Sequence, residues 1–133
     1  MTTNVLVAFY STYGHVHRMA TAVAEGAEGV SDTAVRLRRI AELEEARKAL
    51  AGQDAYVRAL QAQADIPVVT HDDLRWADGI AWGTPTRYGN MSAQMKQFID
   101  TTVASGSKAN SKIRPPEFSR APQPSTGARR RRS

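Results

Sequence analysis

The residues Val5-Leu-Val-Ala-Phe-Tyr10, followed directly by Ser11-Thr-Tyr-Gly-His-Val16, decide the fold of this chain. The first segment is a nearly unbroken apolar run, which is typical of a parallel strand buried on both faces. After the polar loop, apolar residues recur every three or four positions, which predicts an amphipathic helix. The residues that form this stripe are Val16, Met19, Ala20, Val23, Ala24 and Ala27. A buried strand, a short loop and an amphipathic helix are the beginning of a βαβ unit.

The rest of the body continues the alternation of strands and helices. The patterns predict a strand over Thr33–Leu37, a helical segment over 41–64 broken near Gly52, a capped short helix from Thr70 through Trp76, a third strand over Gly79–Gly83, and a helix marked by Met91, Met95, Phe98, Ile99 and Thr102. The order β-α-β-α-β-α predicts an α/β fold with a parallel sheet.

The excess positive charge lies at one end of the sequence. The chain of 133 residues has 18 basic and 13 acidic residues, a net charge of +5. Residues 107–133 hold eight of the basic residues and one acid, so they carry +7, whereas residues 1–106 carry −2. Four of the six prolines also lie in 107–133, and no apolar periodicity runs through it. We therefore predict one domain over 1–106 and a disordered basic tail over 107–133.

The composition excludes several classes of protein. The sequence contains no cysteine, which rules out disulfides, thiolate metal sites and a cysteine nucleophile. No apolar run approaches the roughly 20 residues of a membrane span, and no signal-peptide pattern opens the sequence, so we expect a cytoplasmic protein without a membrane partner. His17 has no suitably spaced second ligand, so we expect no metal site. No catalytic triad or acid–base pair is evident, and we assign no catalytic residue.

The loop Ser11–Val16 has the architecture of a phosphate cradle. Backbone N–H groups of such a loop and of the first helical turn converge on an anion, and the helix dipole adds partial positive charge. Ser11 and Thr12 offer hydroxyl donors, and Gly14 allows a sharp turn. Neither the GxxxxGK[ST] pattern of a P-loop NTPase nor the GxGxxG pattern of a dinucleotide-binding unit is present. Taken alone, the loop fits an ordinary β–α turn with a serine cap as well as it fits a phosphate site.

A second loop, Thr84-Pro-Thr-Arg-Tyr-Gly-Asn90, favours the phosphate site. It follows the third strand, and in a 2-1-3 strand order the loops after strands one and three lie side by side. This is the topological switch point, where open α/β sheets bind their ligands. Arg87 offers hydrogen-bond donors and positive charge, and Tyr88 offers a flat surface for a ring. The two loops together predict a site for a flat ligand that carries a phosphate.

Both loops, with their flanking residues, resemble one family. Val5–Val16 and Gly83-Thr-Pro-Thr-Arg-Tyr-Gly-Asn-Met-Ser92, with Gln94 and Met95, closely resemble the WrbA family of flavodoxin-like FMN-dependent NAD(P)H:quinone oxidoreductases. The resemblance covers residues 4 to about 102. It implies a three-layer flavodoxin-like sandwich, of which this chain holds the first three β-α units in the strand order 2-1-3. Ordinary flavodoxins are similar only in the first loop, and Val16 stands where they have Thr, which favours the WrbA type.

The resemblance also implies the ligands and the residues that contact them. FMN is the implied cofactor and NAD(P)H the co-substrate, and a ping-pong reaction passes two electrons by hydride transfer through FMN to a quinone. The first loop surrounds the FMN phosphate, the second loop borders the isoalloxazine ring, and Tyr13 borders the nicotinamide. The cofactor-binding residues are Ser11, Thr12, Tyr13, Gly14, His15 and Val16 in the first loop and Thr86, Arg87 and Tyr88 in the second. A homo-oligomer is also implied, a tetramer in intact relatives.

The resemblance stops within Thr101–Gly106, where the family continues Thr-Gly-Gly-Leu-Trp and then adds two strands and two helices. One set of codons for Thr102–Asn110, read two bases later, encodes Gly-Gly-Leu-Trp-Gln-Gln-Gly-Lys. Our hypothesis is a truncation or frameshift near Thr102, which an intact coding sequence in one continuous frame would overturn. For such a shortened chain we expect an exposed apolar edge on the third strand, weak or absent FMN binding, impaired activity and aggregation.

Two alternative functions stay open on the sequence. A flavodoxin-like single-electron carrier would share the fold and the cofactor but would stabilise the one-electron-reduced flavin. A nucleic-acid-binding module would use the run Arg129–Arg132 for phosphate contacts. The negative net charge of residues 1–106 argues against nucleic acid as a partner.

Overall fold

The computed structural model describes residues 1–103, which form three strands and five helices. In chain order these are β1 (Thr3–Phe9), α1 (His15–Glu28), β2 (Thr33–Arg39), α2 (Glu44–Leu50), α3 (Asp54–Ala62), α4 (His71–Trp76), β3 (Gly79–Gly83) and α5 (Ala93–Thr101). The predicted domain boundary at 106 and the predicted disorder of 107–133 lie outside the described residues. Among residues 1–103, none of the helices has the length and hydropathy of a membrane span.

The three strands form one parallel sheet in the order β2-β1-β3. Phe9, near the end of the central strand β1, is aligned with Arg39 of β2 and Gly83 of β3. The segments that follow these three residues therefore meet at one edge of the sheet. The predicted α/β class, the parallel sheet and the strand order 2-1-3 are confirmed.

Strand β1 is buried on both faces, as its apolar run predicts. Four of its seven residues, Leu6 to Phe9, are at most 2% exposed. Leu6 and Ala8 pack in a core cluster with residues of α4 and α5, whereas Val7 and Phe9 pack in a second cluster with residues of α1. The sheet is thus covered by helices on both sides, which is the three-layer arrangement of the flavodoxin-like fold.

The connection from β2 to β3 holds the two helices α2 and α3, separated near Gly52, and then the short helix α4. A capping box begins α4: the Thr70 Oγ1 accepts from the Asp73 N–H at 3.2 Å, and the Asp73 carboxylate accepts from the Thr70 N–H at 2.9 Å. The break and the cap are therefore confirmed. Strand β2 runs two residues further than predicted, to Arg39.

The apolar stripe of α1 is only half covered within residues 1–103. Ala20 and Ala24 are buried against the sheet, but Met19 is 68% exposed and Val23 is 48% exposed. The predicted amphipathic helix is confirmed, and Met19 and Val23 are residues of its apolar stripe that stay exposed within residues 1–103. The outer edge of β3 also lacks a partner strand in this part of the chain, and Trp82 is 38% exposed there. Within residues 1–103 the predicted exposed edge is confirmed at Trp82, whereas Ile80 and Ala81 are partly buried.

Candidate functional site

The first loop leaves β1 and enters α1 through a glycine. Gly14 has a φ of +99°, in the left-handed region, and its N–H donates to the Ser11 Oγ at 3.0 Å. Glycine adopts this conformation without strain, which explains its place at the beginning of the helix. The Ser11 hydroxyl thus shapes the loop as an acceptor and keeps its own proton free to donate.

The N-terminus of α1 is suited to an anion. The first N–H paired within the helix is that of Arg18, which donates to the Gly14 carbonyl at 3.1 Å. The N–H groups of His15, Val16 and His17 therefore have no partner within the helix. No side chain caps this end, and its first turn contains no acid. Free N–H groups and the positive end of the helix dipole together favour a bound phosphate.

The second loop is a tight turn. Arg87 and Asn90 exchange backbone hydrogen bonds of 2.8 and 3.0 Å, and the two central residues, Tyr88 and Gly89, have φ of +52° and +78°. Two positive φ values in succession define a type I′ turn. This turn holds Tyr88 at its tip, where the side chain is fully exposed. The ring is therefore free to lie against a ligand.

A direct hydrogen bond joins the two loops. The Arg87 Nη2 donates to the Thr12 Oγ1 at 2.9 Å, across 75 residues of sequence. Thr12 is buried, whereas Arg87 is an exposed residue of the second loop. The guanidinium thus adds a positive charge beside the first loop, at the switch point of the sheet.

The other residues predicted for the site occupy different positions around it. His15 and Thr86 are exposed. The half-exposed Tyr13 donates its hydroxyl to the Gln53 Oε1 at 2.7 Å, so the loop before α3 holds it in place. The Val16 side chain packs in the core cluster that contains Phe9, and only its backbone N–H is left for a ligand.

A buried polar network that was not predicted from the sequence adjoins both loops. Tyr10, Tyr56 and Gln94 donate to the carboxylate of Glu42 at 2.8, 2.9 and 2.7 Å. Burial, reinforced by Glu42, raises the pKa of the Tyr56 hydroxyl to about 12. Burial also raises the pKa of Tyr10 above its usual range; Thr12 opposes this shift and Glu42 adds to it. The only sequence signal was the position of Tyr10 and Gln94 beside the two loops.

A second polar residue that was not predicted from the sequence, Gln63, supports the first loop from the C-terminal end of α3. The buried amide of Gln63 donates to the carbonyls of Ala59, at 3.0 Å, and of Ser11, at 3.4 Å. In residues 1–103, every buried side-chain nitrogen and oxygen has a hydrogen-bond partner. The framework under the loops is therefore complete in its hydrogen bonding, which favours one fixed arrangement of the site.

The sheet order and the paired loops define a flavodoxin-like α/β protein, and the family with the flavodoxin-like fold matches residues 1–117. The chain belongs to this family. It is 51% identical over 98 residues to an NAD(P)H dehydrogenase (quinone) of Geotalea uraniireducens, a match that covers 74% of this chain and 47% of that protein. It is 48% identical over 99 residues to the protein of that name from Geobacter sulfurreducens, covering 74% and 48%. It is 41% identical over 102 residues to a quinone-oxidoreductase QR2 of Triphysaria versicolor, covering 77% and 47%. The chain spans about half the length of these curated relatives.

Proposed function

We propose that the two loops form the FMN-binding part of an NAD(P)H:quinone oxidoreductase of the WrbA type. The observation that carries the proposal is the hydrogen bond between Arg87 and Thr12, which joins the loops into one site beside the free N-terminus of α1. The names of the similar proteins, NAD(P)H dehydrogenase (quinone) and quinone-oxidoreductase QR2, support the same reaction.

The residues present fit FMN. The loops Ser11–Val16 and Thr84–Asn90 contain no acidic residue, and Arg87 adds a positive charge, so a dianionic phosphate meets only favourable charges within them. The exposed ring of Tyr88, held at the tip of a type I′ turn, provides an apolar surface for a flat aromatic system. The site thus offers separate places for the phosphate and for the ring.

Each element of the site then has a distinct task. The hydroxyls of Ser11 and Thr12 and the N–H groups of His15 and Val16 bind the phosphate. Gly14 supplies the turn that orients these groups toward the phosphate. Thr86, Arg87 and Tyr88 border the isoalloxazine ring. Tyr13, held by Gln53, borders the nicotinamide of NAD(P)H. When bound, FMN supplies the capacity to accept a hydride from NAD(P)H and to pass two electrons to a quinone.

The chain's own contribution to this reaction is binding and orientation. The buried framework under the loops fixes the cofactor site, and we assign no side chain to acid–base chemistry. The same proposal includes a cytoplasmic location and a homo-oligomer. Analytical ultracentrifugation measures the number of chains in the oligomer. Nucleic acid is not part of the proposal, because residues 1–106 carry a net charge of −2.

The proposal is tested by titrating the full 133-residue chain with FMN and following the quenching of flavin fluorescence. We expect weak, saturable binding. Arg87→Gln should weaken it by about tenfold, because it removes a charge-assisted hydrogen bond and a positive charge. Arg58→Gln is the matched control, since it removes the same charge from the exposed surface of α3. No quenching, or equal weakening by both variants, would contradict the proposal.

The reaction is tested separately by NADH oxidation with benzoquinone as acceptor and FMN in excess. We expect turnover above that of free FMN, and less turnover in Arg87→Gln. A reductive titration distinguishes the single-electron carrier, since that protein would accumulate the one-electron-reduced flavin. Such accumulation without quinone turnover would favour the carrier.

A further inference from the structure

Glu42 lies where the segments that support the proposed site come together. It follows β2 by three residues, at the sheet edge from which both loops extend. Tyr10 directly precedes the first loop, and Gln94, in the first turn of α5, follows the second. Tyr56 lies on α3, three residues after the Gln53 that holds Tyr13. A single carboxylate therefore contacts residues that adjoin both loops and the helix behind them.

The hydrogen bonds divide evenly between the two carboxylate oxygens. The Oε2 accepts from the hydroxyls of Tyr10 at 2.8 Å and Tyr56 at 2.9 Å. The Oε1 accepts from the Gln94 amide at 2.7 Å and from the Leu43 N–H at 2.8 Å. The Gln94 amide also donates to the Tyr10 hydroxyl at 3.0 Å, which closes the network. Tyr10, Tyr56 and Gln94 are 5%, 2% and 8% exposed, so water does not replace these bonds readily.

An amide cannot satisfy the same four donors. If a glutamine at position 42 keeps its oxygen toward the two tyrosines, its NH₂ group faces the donors of Gln94 and Leu43. In the opposite orientation its NH₂ faces the two tyrosine hydroxyls, which must turn and lose their acceptor. Either orientation leaves at least one donor of the network without its acceptor, which is a costly outcome where the network is buried. The requirement at this position is for an acceptor on both sides, which a carboxylate provides.

We propose that Glu42 is a positioning residue of the site: it holds Tyr10 and Gln94 together and thereby sets the spacing between the loops Ser11–Val16 and Thr84–Asn90. The interpretation of these loops as an FMN site rests on the proposed function. The positioning itself rests only on the contacts of Glu42, and it is measured without any flavin.

The first experiment is hydrogen exchange on the full chain, followed by mass spectrometry of peptides that cover the two loops. Glu42→Gln should accelerate exchange in both loops by about tenfold, because the unpaired donors loosen both anchors. Glu45→Gln, an exposed position on α2, should change neither loop. Val35→Ala serves as a second control, a variant whose fold is destabilised at a position away from the loops. Val35 pairs with Val5, toward the end of the sheet opposite to the two loops. Unchanged exchange in the loops, or the same acceleration in Val35→Ala at equal stability, would overturn the proposal.

The second experiment measures the ionisation of the two tyrosines that donate to Glu42. Absorbance of tyrosinate during an alkaline titration should show that Tyr10 and Tyr56 ionise above the usual pKa of a tyrosine, and Glu42→Gln should lower the pH at which this pair ionises. An unchanged pair would show that Glu42 does not accept their hydroxyls, which contradicts the proposal.

The third experiment connects the network to the ligand. Titration with FMN should show about tenfold weaker binding to Glu42→Gln than to Glu45→Gln. Unchanged affinity would overturn the role of Glu42 in the site. If the unmodified chain binds no FMN, the proposed function fails, while the exchange measurement still decides whether Glu42 positions the two loops.

Discussion

The two glycines of β3 provide a test of how the sheet positions the first loop. A Cβ on Gly83 would lie 3.1 Å from the Cβ of Phe9 and 3.1 Å from the Cγ1 of Val16, tighter than an ordinary carbon–carbon contact. A Cβ on Gly79, at the other end of the same strand, would meet no atom within 4 Å. Neither glycine has a positive φ, so the two positions differ in packing and not in backbone strain.

The expected effects have opposite signs. Alanine in place of glycine in a strand stabilises by ~0.5–1 kcal/mol, because less backbone entropy is lost on folding. At Gly83 this gain is opposed by an overpacking cost of ~1–3 kcal/mol. Phe9 cannot easily move away from the added Cβ, because it is fully buried and stacks on His17 with ring centroids 5.6 Å apart. We therefore expect Gly83→Ala to destabilise by about 1 kcal/mol and Gly79→Ala to stabilise by about 0.5 kcal/mol.

Urea denaturation followed by far-UV circular dichroism measures both free energies of unfolding. Because Val16 belongs to the first turn of α1, its displacement in Gly83→Ala also moves the proposed phosphate site, and FMN titration should show weaker binding. Gly79→Ala should bind FMN as the unmodified chain does. A Gly83→Ala variant as stable as Gly79→Ala would refute the argument that close packing at the end of β3 holds the first loop.

Two further predictions concern titratable residues. Burial alone would raise the pKa of Asp73, but hydrogen bonds from Thr70 and the positive charge of Arg38 hold it below its usual value of 3.8. The free energy of unfolding should therefore fall as the pH drops below about 4. Asp73→Asn should remove this dependence and lower the free energy of unfolding at pH 7 by about 2 kcal/mol. Urea titrations at several pH values measure both effects. The pKa of Tyr56 is raised from 10.0 to about 12, so its neutral form stabilises the fold, and this contribution should be lost as the pH rises from 10 to 12. Tyr56→Phe should weaken that alkaline loss and cost about 1 kcal/mol at pH 7 in the same assay.

Much of the fold was predictable because its signals are local or periodic. The run Val5–Tyr10 shows a strand buried on both faces, and the Thr70 motif shows a capped helix. Periodicity reports that a face is apolar, but not whether another element covers it. The stripe of α1 therefore predicted an amphipathic helix, but not that Met19 and Val23 stay exposed within residues 1–103.

The site was predictable to the level of its loops but not of its contacts. The position of each loop after a parallel strand was enough to place them together at the switch point. The bond between Arg87 and Thr12 and the convergence of Tyr10, Tyr56 and Gln94 on Glu42 depend on side-chain directions across 14 to 75 residues of sequence. Such contacts leave no periodic signal, since each involves one residue from each element.

The contacts that shape the site and the apolar surfaces that remain uncovered lie in different parts of residues 1–103. The bonds that shape the loops, from Arg87 to Thr12 and from Gly14 to Ser11, are made entirely between residues 1 and 103, and so is the network around Glu42. The uncovered apolar surfaces lie elsewhere, on one side of α1 and on the outer edge of β3. Covering those surfaces would add hydrophobic stabilisation. An exposed variant such as Arg87→Gln should therefore change FMN affinity at nearly constant stability, whereas a core variant such as Val35→Ala should change stability at nearly constant affinity.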